Sequence, residues 1–99
     1  MKDFKQITSE NKPTLVDFYT KKCAPCQMQH PEIDEVERCM GDKINVLMVD
    51  IDEDEAIANA YGVRCVPTLM IFVDGMVQWR NSGVHCAELL ERKLKEYMS

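Results

Sequence analysis

The residues best equipped for chemistry are Cys23 and Cys26, set two apart in the run Cys23-Ala24-Pro25-Cys26. Two thiols at this spacing can close into a disulfide once the chain turns, or can offer two ligands to a metal. Structural zinc takes four ligands, commonly from two such pairs, and the chain has no second C-x-x-C. His30, Cys39, Cys65, His85 and Cys86 are scattered and would have to be gathered by an improbable fold. Redox chemistry therefore leads zinc binding and inert core thiols as readings of the pair, and neither metal nor cofactor is expected.

The flanking residues say what must hold the pair. Leu15-Val16-Asp17-Phe18-Tyr19 is a short apolar, β-branched and aromatic run, the pattern of a buried strand, interrupted by an aspartate that needs a reason. From Ala24 to about Met40, Ile33, Val36 and Met40 recur at helical spacing among charged residues, and Gly41 supplies a stop. Pro31 lies inside this run, so the helix either starts there or starts near Ala24 and is kinked. In the second case the cysteines sit where a strand ends and a helix begins. Unpaired helical N–H groups and the macrodipole stabilise an anion at that point, which makes Cys23 the more acidic sulfur. Lys21 and Lys22 add positive charge in front of it. Pro25, close to the helix start, sacrifices no hydrogen bond.

Further along, Ile44 to Val49 reads as a second buried strand. Asp52 or Asp54 caps a short helix through Ala60, and Gly62 ends it. Thr68 to Val73 and Met76 to Arg80 flank Asp74-Gly75, the signal of a type I′ hairpin. A last helix, about Ala87 to Met98, aligns Leu90, Leu94 and Tyr97. A short helix over Asp3 to Glu10 opens the chain. This order gives an α/β fold: a mixed sheet of two parallel strands, joined through the long helix, plus an antiparallel hairpin, with helices on both faces.

Length and charge bound the rest. The 99 residues suit one domain spanning 1–99, with 45% hydrophobic and 29% charged residues as in ordinary globular chains. A net charge of -5 argues against a nucleic-acid partner. The longest apolar stretch, Cys65 to Val73, falls far short of the roughly 18 residues of a membrane span. The N-terminal run Met1 to Gln6 alternates charge with apolar residues and builds no export signal, so a cytoplasmic location is expected. Five cysteines are too few for a disulfide scaffold and are read one by one. Asp50-Ile51-Asp52-Glu53-Asp54 begins like a calcium loop, but Glu55 and Tyr61 stand where glycine and glutamate are required, which leaves a solvated acidic turn.

Val16-Asp17-Phe18-Tyr19, Cys23-Ala24-Pro25-Cys26, Pro31, Tyr61-Gly62-Val63-Arg64, Val66-Pro67-Thr68, Asp74-Gly75 and Gly83 together resemble a short thioredoxin, over nearly the whole chain from about Pro13. The N-terminus is too short for that family's usual extra first strand. The resemblance implies a protein-disulfide reductase in which Cys23 attacks a substrate disulfide and Cys26 resolves the mixed disulfide. It implies that Asp17 assists deprotonation of Cys26, and that Pro67 is a cis-proline beside the cysteines where an extended substrate docks. Ala24, Pro25, Val66, Lys22 and Gly83 are the supporting and substrate-binding positions it marks. The implied partners are disulfide-containing proteins and a thioredoxin-reductase-type electron donor, with the chain acting as a monomer.

The departures from that pattern matter too. Tyr19 and Lys22 stand where thioredoxins usually carry tryptophans, so Lys22 biases the surface toward acidic partners. Ala24 replaces a glycine and tunes the dithiol balance. Met48 replaces a lysine near the buried aspartate, so Asp17 is expected to titrate higher. Cys65 is read as a small buried residue or as a regulatory third thiol, Cys86 as a thiol at a helix start, and Cys39 as packing or surface. Trp79 is read as packing, and Gly62 and Gly83 as turn glycines or as points of close substrate approach. Against the reductase stand a peptide-binding module without turnover, which the intact cysteines oppose, and a disulfide oxidant, which the absent export signal opposes.

Overall fold

In the computed structural model, residues 3–98 are described. Met1 and Lys2, part of the run weighed as an export signal, lie outside them, as does Ser99. The elements are α1 (Phe4–Thr8), β1 (Thr14–Tyr19), α2 (Ala24–Met40), a 3₁₀ turn (Gly41–Lys43), β2 (Asn45–Asp50), α3 (Glu55–Ala60), β3 (Thr68–Val73), β4 (Met76–Ser82) and α4 (Ala87–Glu96). No strand precedes β1 among the described residues, and among them no helix is long and apolar enough to cross a membrane.

The strands form one sheet in the order β2-β1-β3-β4. β1 runs parallel to β2, with α2 as the crossover, and antiparallel to β3, which pairs antiparallel with β4. Successive side chains of a strand point to opposite faces, and the two cores follow from that alternation. Leu15, Leu69 and Ile71 join Ile33, Val36 and Met40 of α2 and Leu90 and Leu94 of α4 on one face. Val16, Phe18, Val49, Met70 and Phe72 join Phe4 of α1 and Ala58 of α3 on the other. The expected mixed sheet with helices on both faces is what the chain builds. Strand ends differ slightly from the sequence reading: β2 is displaced by one residue and β4 runs on to Ser82. Pairing with a neighbour decides these ends, not composition.

Asp74 (φ 53°) and Gly75 (φ 81°) occupy the left-handed region that a type I′ turn requires. The short α1 is held by Phe4, whose ring meets Tyr61 and Phe72 at centroid distances of 5.7 and 5.6 Å. It is also tied to the hairpin through Gly75 N–H to the Thr8 carbonyl (2.8 Å). Trp79 packs half-buried against the α2/α4 side. Leu90 is fully buried on that side. Leu90→Ala should cost about 3 kcal/mol, read as a lower denaturation midpoint at unchanged slope, while Met76→Ala on exposed β4 should stay within about 0.5.

Candidate active site

α2 begins at Ala24 and continues through Pro31 to Met40, which settles where the long helix starts. Cys23 is its N-cap, with extended backbone, and its Sγ accepts the N–H of Cys26 at 3.1 Å. Pro25 lies in the first turn, where its missing N–H would have had no helical partner. Cys23 and Cys26 are joined as a disulfide with Cα atoms 5.2 Å apart. The two sulfurs are not equivalent. Cys26 is 1% exposed, whereas Cys23 is only half-buried and is the one a substrate can reach. In the dithiol form, the N–H aimed at the Cys23 sulfur favours the thiolate.

The lysines in front divide their work. Lys21 turns to Glu53, with Nζ 3.2 Å from Oε1, and this partnership raises its pKa. The ammonium expected beside Cys23 from Lys21 is thereby paired elsewhere. Lys22 is exposed, as are Ala24 and Pro25.

Across from the disulfide, the Val66 carbonyl lies 3.8 Å from Cys23 Sγ, and the Val66–Pro67 bond is cis. Val66 is half-buried and Pro67 buried. Gly83 donates its N–H to the Pro67 carbonyl (2.8 Å) and so joins this loop to the segment after β4. Gly83 takes φ +92°, and a Cβ there would meet nothing within 4 Å. Backbone conformation, not lack of room in the folded chain, calls for glycine at this point.

Asp17 is fully buried on the α2/α4 side of the sheet, with Met48 and Leu69 as register partners on either hand. Neither carboxyl oxygen has a hydrogen-bond partner. Burial pushes its pKa up from 3.8 to about 7. A carboxyl that titrates near neutrality can take up and release a proton under working conditions. The one other buried side-chain polar atom without a partner, among the described residues, is His30 Nε2. His30 meets the Tyr19 ring edge-on at 5.3 Å, and a pocket of about 260 Å³ beside them includes Met48.

The remaining cysteines are free and exposed. This corrects the reading of Cys65 as a small buried residue. The loop turns it outward, while its carbonyl accepts the Thr68 hydroxyl at 2.6 Å. Cys86 is the N-cap of α4 and makes no side-chain cap bond. Cys39 donates to Glu35 Oε2 (3.0 Å), and this acceptor holds its thiol above the ordinary value. Such a thiol is a poor nucleophile near neutrality. The acidic turn is organised by Asp50, whose Oδ1 accepts the Asp52 N–H at 2.9 Å, and the residue before α3 is Asp54.

Sequence reasoning missed Gln29, which is fully buried and bonds twice to His85. Its signal was present: Gln29 falls in the series Cys26, Ile33, Val36, Met40 that marks the buried stripe of α2.

A two-cysteine redox motif at a strand-to-helix junction, faced by a cis-proline loop on a mixed sheet, defines a thiol–disulfide oxidoreductase. The thioredoxin family model matches residues 1–96. Thioredoxin of Bacillus subtilis is 35% identical over 95 residues, covering 96% of this chain and 90% of that protein. Thioredoxin 1 of Synechococcus elongatus is 45% identical over 73 residues, 73% of this chain and 68% of that one. Among solved structures, a mutant thioredoxin from Halobacterium salinarum superposes with a TM-score of 0.88 at 34% identity, covering 100% of this chain and 86% of that one. The chain belongs to the thioredoxin family, whose members are protein-disulfide oxidoreductases.

Proposed function

We propose that the chain works as a single-domain, monomeric reductant of protein disulfides in the cytoplasm, with Cys23 as nucleophile and Cys26 as resolving thiol. The observation that carries the assignment is the unequal exposure of the two sulfurs. The Cys23 thiolate attacks one sulfur of a substrate disulfide. A mixed disulfide forms, and the other substrate sulfur leaves as a thiolate that takes a proton from water. Cys26 then gives its proton to Asp17 and attacks the Cys23 sulfur. The second substrate sulfur leaves as a thiolate that takes a proton from water, Asp17 returns its proton to water, and the Cys23–Cys26 bond closes. Two electrons pass to the substrate, and a thioredoxin-reductase-type donor returns them to the pair.

Val66, Pro67 and Gly83 frame the strip along which an extended substrate docks, with Ala24 and Pro25 beside it. Exposed Lys22 favours acidic residues near the scissile disulfide. Three exposed free thiols, Cys39, Cys65 and Cys86, support a reducing compartment. Cys65, next to Val66 in the docking loop, is the thiol available for regulation.

Reduction of insulin disulfides with dithiothreitol as electron source tests the reading. The wild-type chain should accelerate it well above the uncatalysed rate. Lys22→Glu should raise KM for an acidic disulfide substrate several-fold at low salt, a difference that shrinks as salt screens it. Absence of acceleration by the wild type would overturn the reading.

A further inference from the structure

Gln29 occupies a position where the helical pattern calls for an apolar residue, yet it is a fully buried amide with both ends engaged. Its Oε1 accepts the His85 N–H at 2.7 Å and its Nε2 donates to the His85 carbonyl at 2.8 Å. The paired bonds match those exchanged by opposed residues of antiparallel strands, here with a side chain in place of one strand. The clamp is anchored on α2 close behind Cys26. It holds the segment between β4 and α4, whose other ties also lead to the site. Gly83 N–H bonds the Pro67 carbonyl (2.8 Å) and Glu32 Oε1 of α2 accepts the Ala87 N–H (2.8 Å), while the bond from His85 Nδ1 to the Gly83 carbonyl (2.9 Å) stiffens the segment from within. The inner side of the segment is thus bonded to the helix of the cysteines and to the cis-proline loop. On its outer side Val84 is 42% exposed, and Met28, next to Gln29 on α2, is 65% exposed.

We propose that Gln29 is a positioning residue for specificity: by fixing segment 83–86 against α2 it makes the site selective for disulfides carried in polypeptides over small-molecule disulfides. The inference rests on the reductase reading above. A small disulfide needs only the half-buried Cys23 sulfur. A polypeptide must also rest on backbone and apolar groups to either side, and these are in register only while the segment is clamped. Misplacing such groups by about an ångström is enough for large losses in a positioned reaction.

The test compares Gln29→Leu with wild type on insulin and on dithiobis(nitrobenzoate), a small aromatic disulfide. KM for insulin should rise roughly tenfold with kcat little changed. The rate with the small disulfide should stay within about twofold of wild type. Amide exchange at His85 should accelerate while that of β1 stays slow. Gln29→Glu, which keeps the acceptor for the His85 N–H and loses the donor, is the second variant if leucine prevents folding, and should give an intermediate KM. An unchanged insulin KM, or equal losses on both substrates, would overturn the proposal. A wild-type chain that reduces neither substrate would instead overturn the reductase reading itself.

Discussion

Cys26→Ser should turn the chain into a covalent trap. The exposed sulfur still attacks a substrate disulfide, but the buried thiol that would displace the substrate is gone, so a one-to-one adduct accumulates and survives non-reducing electrophoresis. Cys23→Ser should form no such adduct, because Cys26, at 1% exposure, cannot be reached. Each variant should lose catalysed turnover by roughly three orders of magnitude or more, the scale on which loss of a covalent nucleophile acts. Mass spectrometry of the trapped species should place the substrate on Cys23. An adduct formed equally by both variants, or turnover surviving in Cys23→Ser, would remove the division of labour between the sulfurs.

Asp17→Asn should stabilise the fold while slowing the resolving step. In the unfolded chain this carboxyl ionises near 3.8, and in the folded chain near 7. Between those values the unfolded state gives up a proton that the folded state keeps, so stability falls as pH rises through the window and levels off above about 7. The full cost is about 4 kcal/mol, at 1.36 kcal/mol per pH unit. The asparagine variant escapes it. Its denaturation midpoint should exceed that of the wild type above pH 7, and the advantage should vanish near pH 4. Loss of the proton acceptor should slow resolution of the mixed disulfide by roughly a hundredfold. The wild-type inflection in that rate near pH 7 should disappear with it. Rapid mixing followed by acid quench measures both, and an inflection that persists in the variant would take Asp17 out of the proton path.

What could be read in the sequence was whatever is decided locally. The run Leu15-Val16-Asp17-Phe18-Tyr19 already marks β1 as a buried strand and singles out its aspartate as a residue that needs a reason. Asp74-Gly75 specifies its turn through the positive φ of both residues. The spacing of Cys23 and Cys26, with proline between, carries its own chemistry.

What could not be read depends on partners distant in the chain. Gln29 acquires its meaning from a residue 56 positions away, and Lys21 from a carboxylate 32 positions away. Neither pairing leaves a local trace. Cys65 is read as a small buried residue or a third thiol, and only the folded loop, in which its carbonyl accepts from Thr68, shows that its side chain faces outward. The irregular pairing between β3 and β4 at Ile71 and Phe72 is likewise a matter of two strands meeting, and neither strand's sequence announces it.

Pro31, inside α2, has a consequence of its own for how the helix is held. Without an amide hydrogen it cannot bond the Gln27 carbonyl, and the ladder of the helix is broken one turn past the cysteines. α2 nonetheless continues as one helix from Ala24 to Met40, so side-chain packing supplies at this point what the missing backbone bond does not. Cys26 and Gln29 before the proline, and Ile33, Val36 and Met40 after it, are all buried and keep both stretches seated.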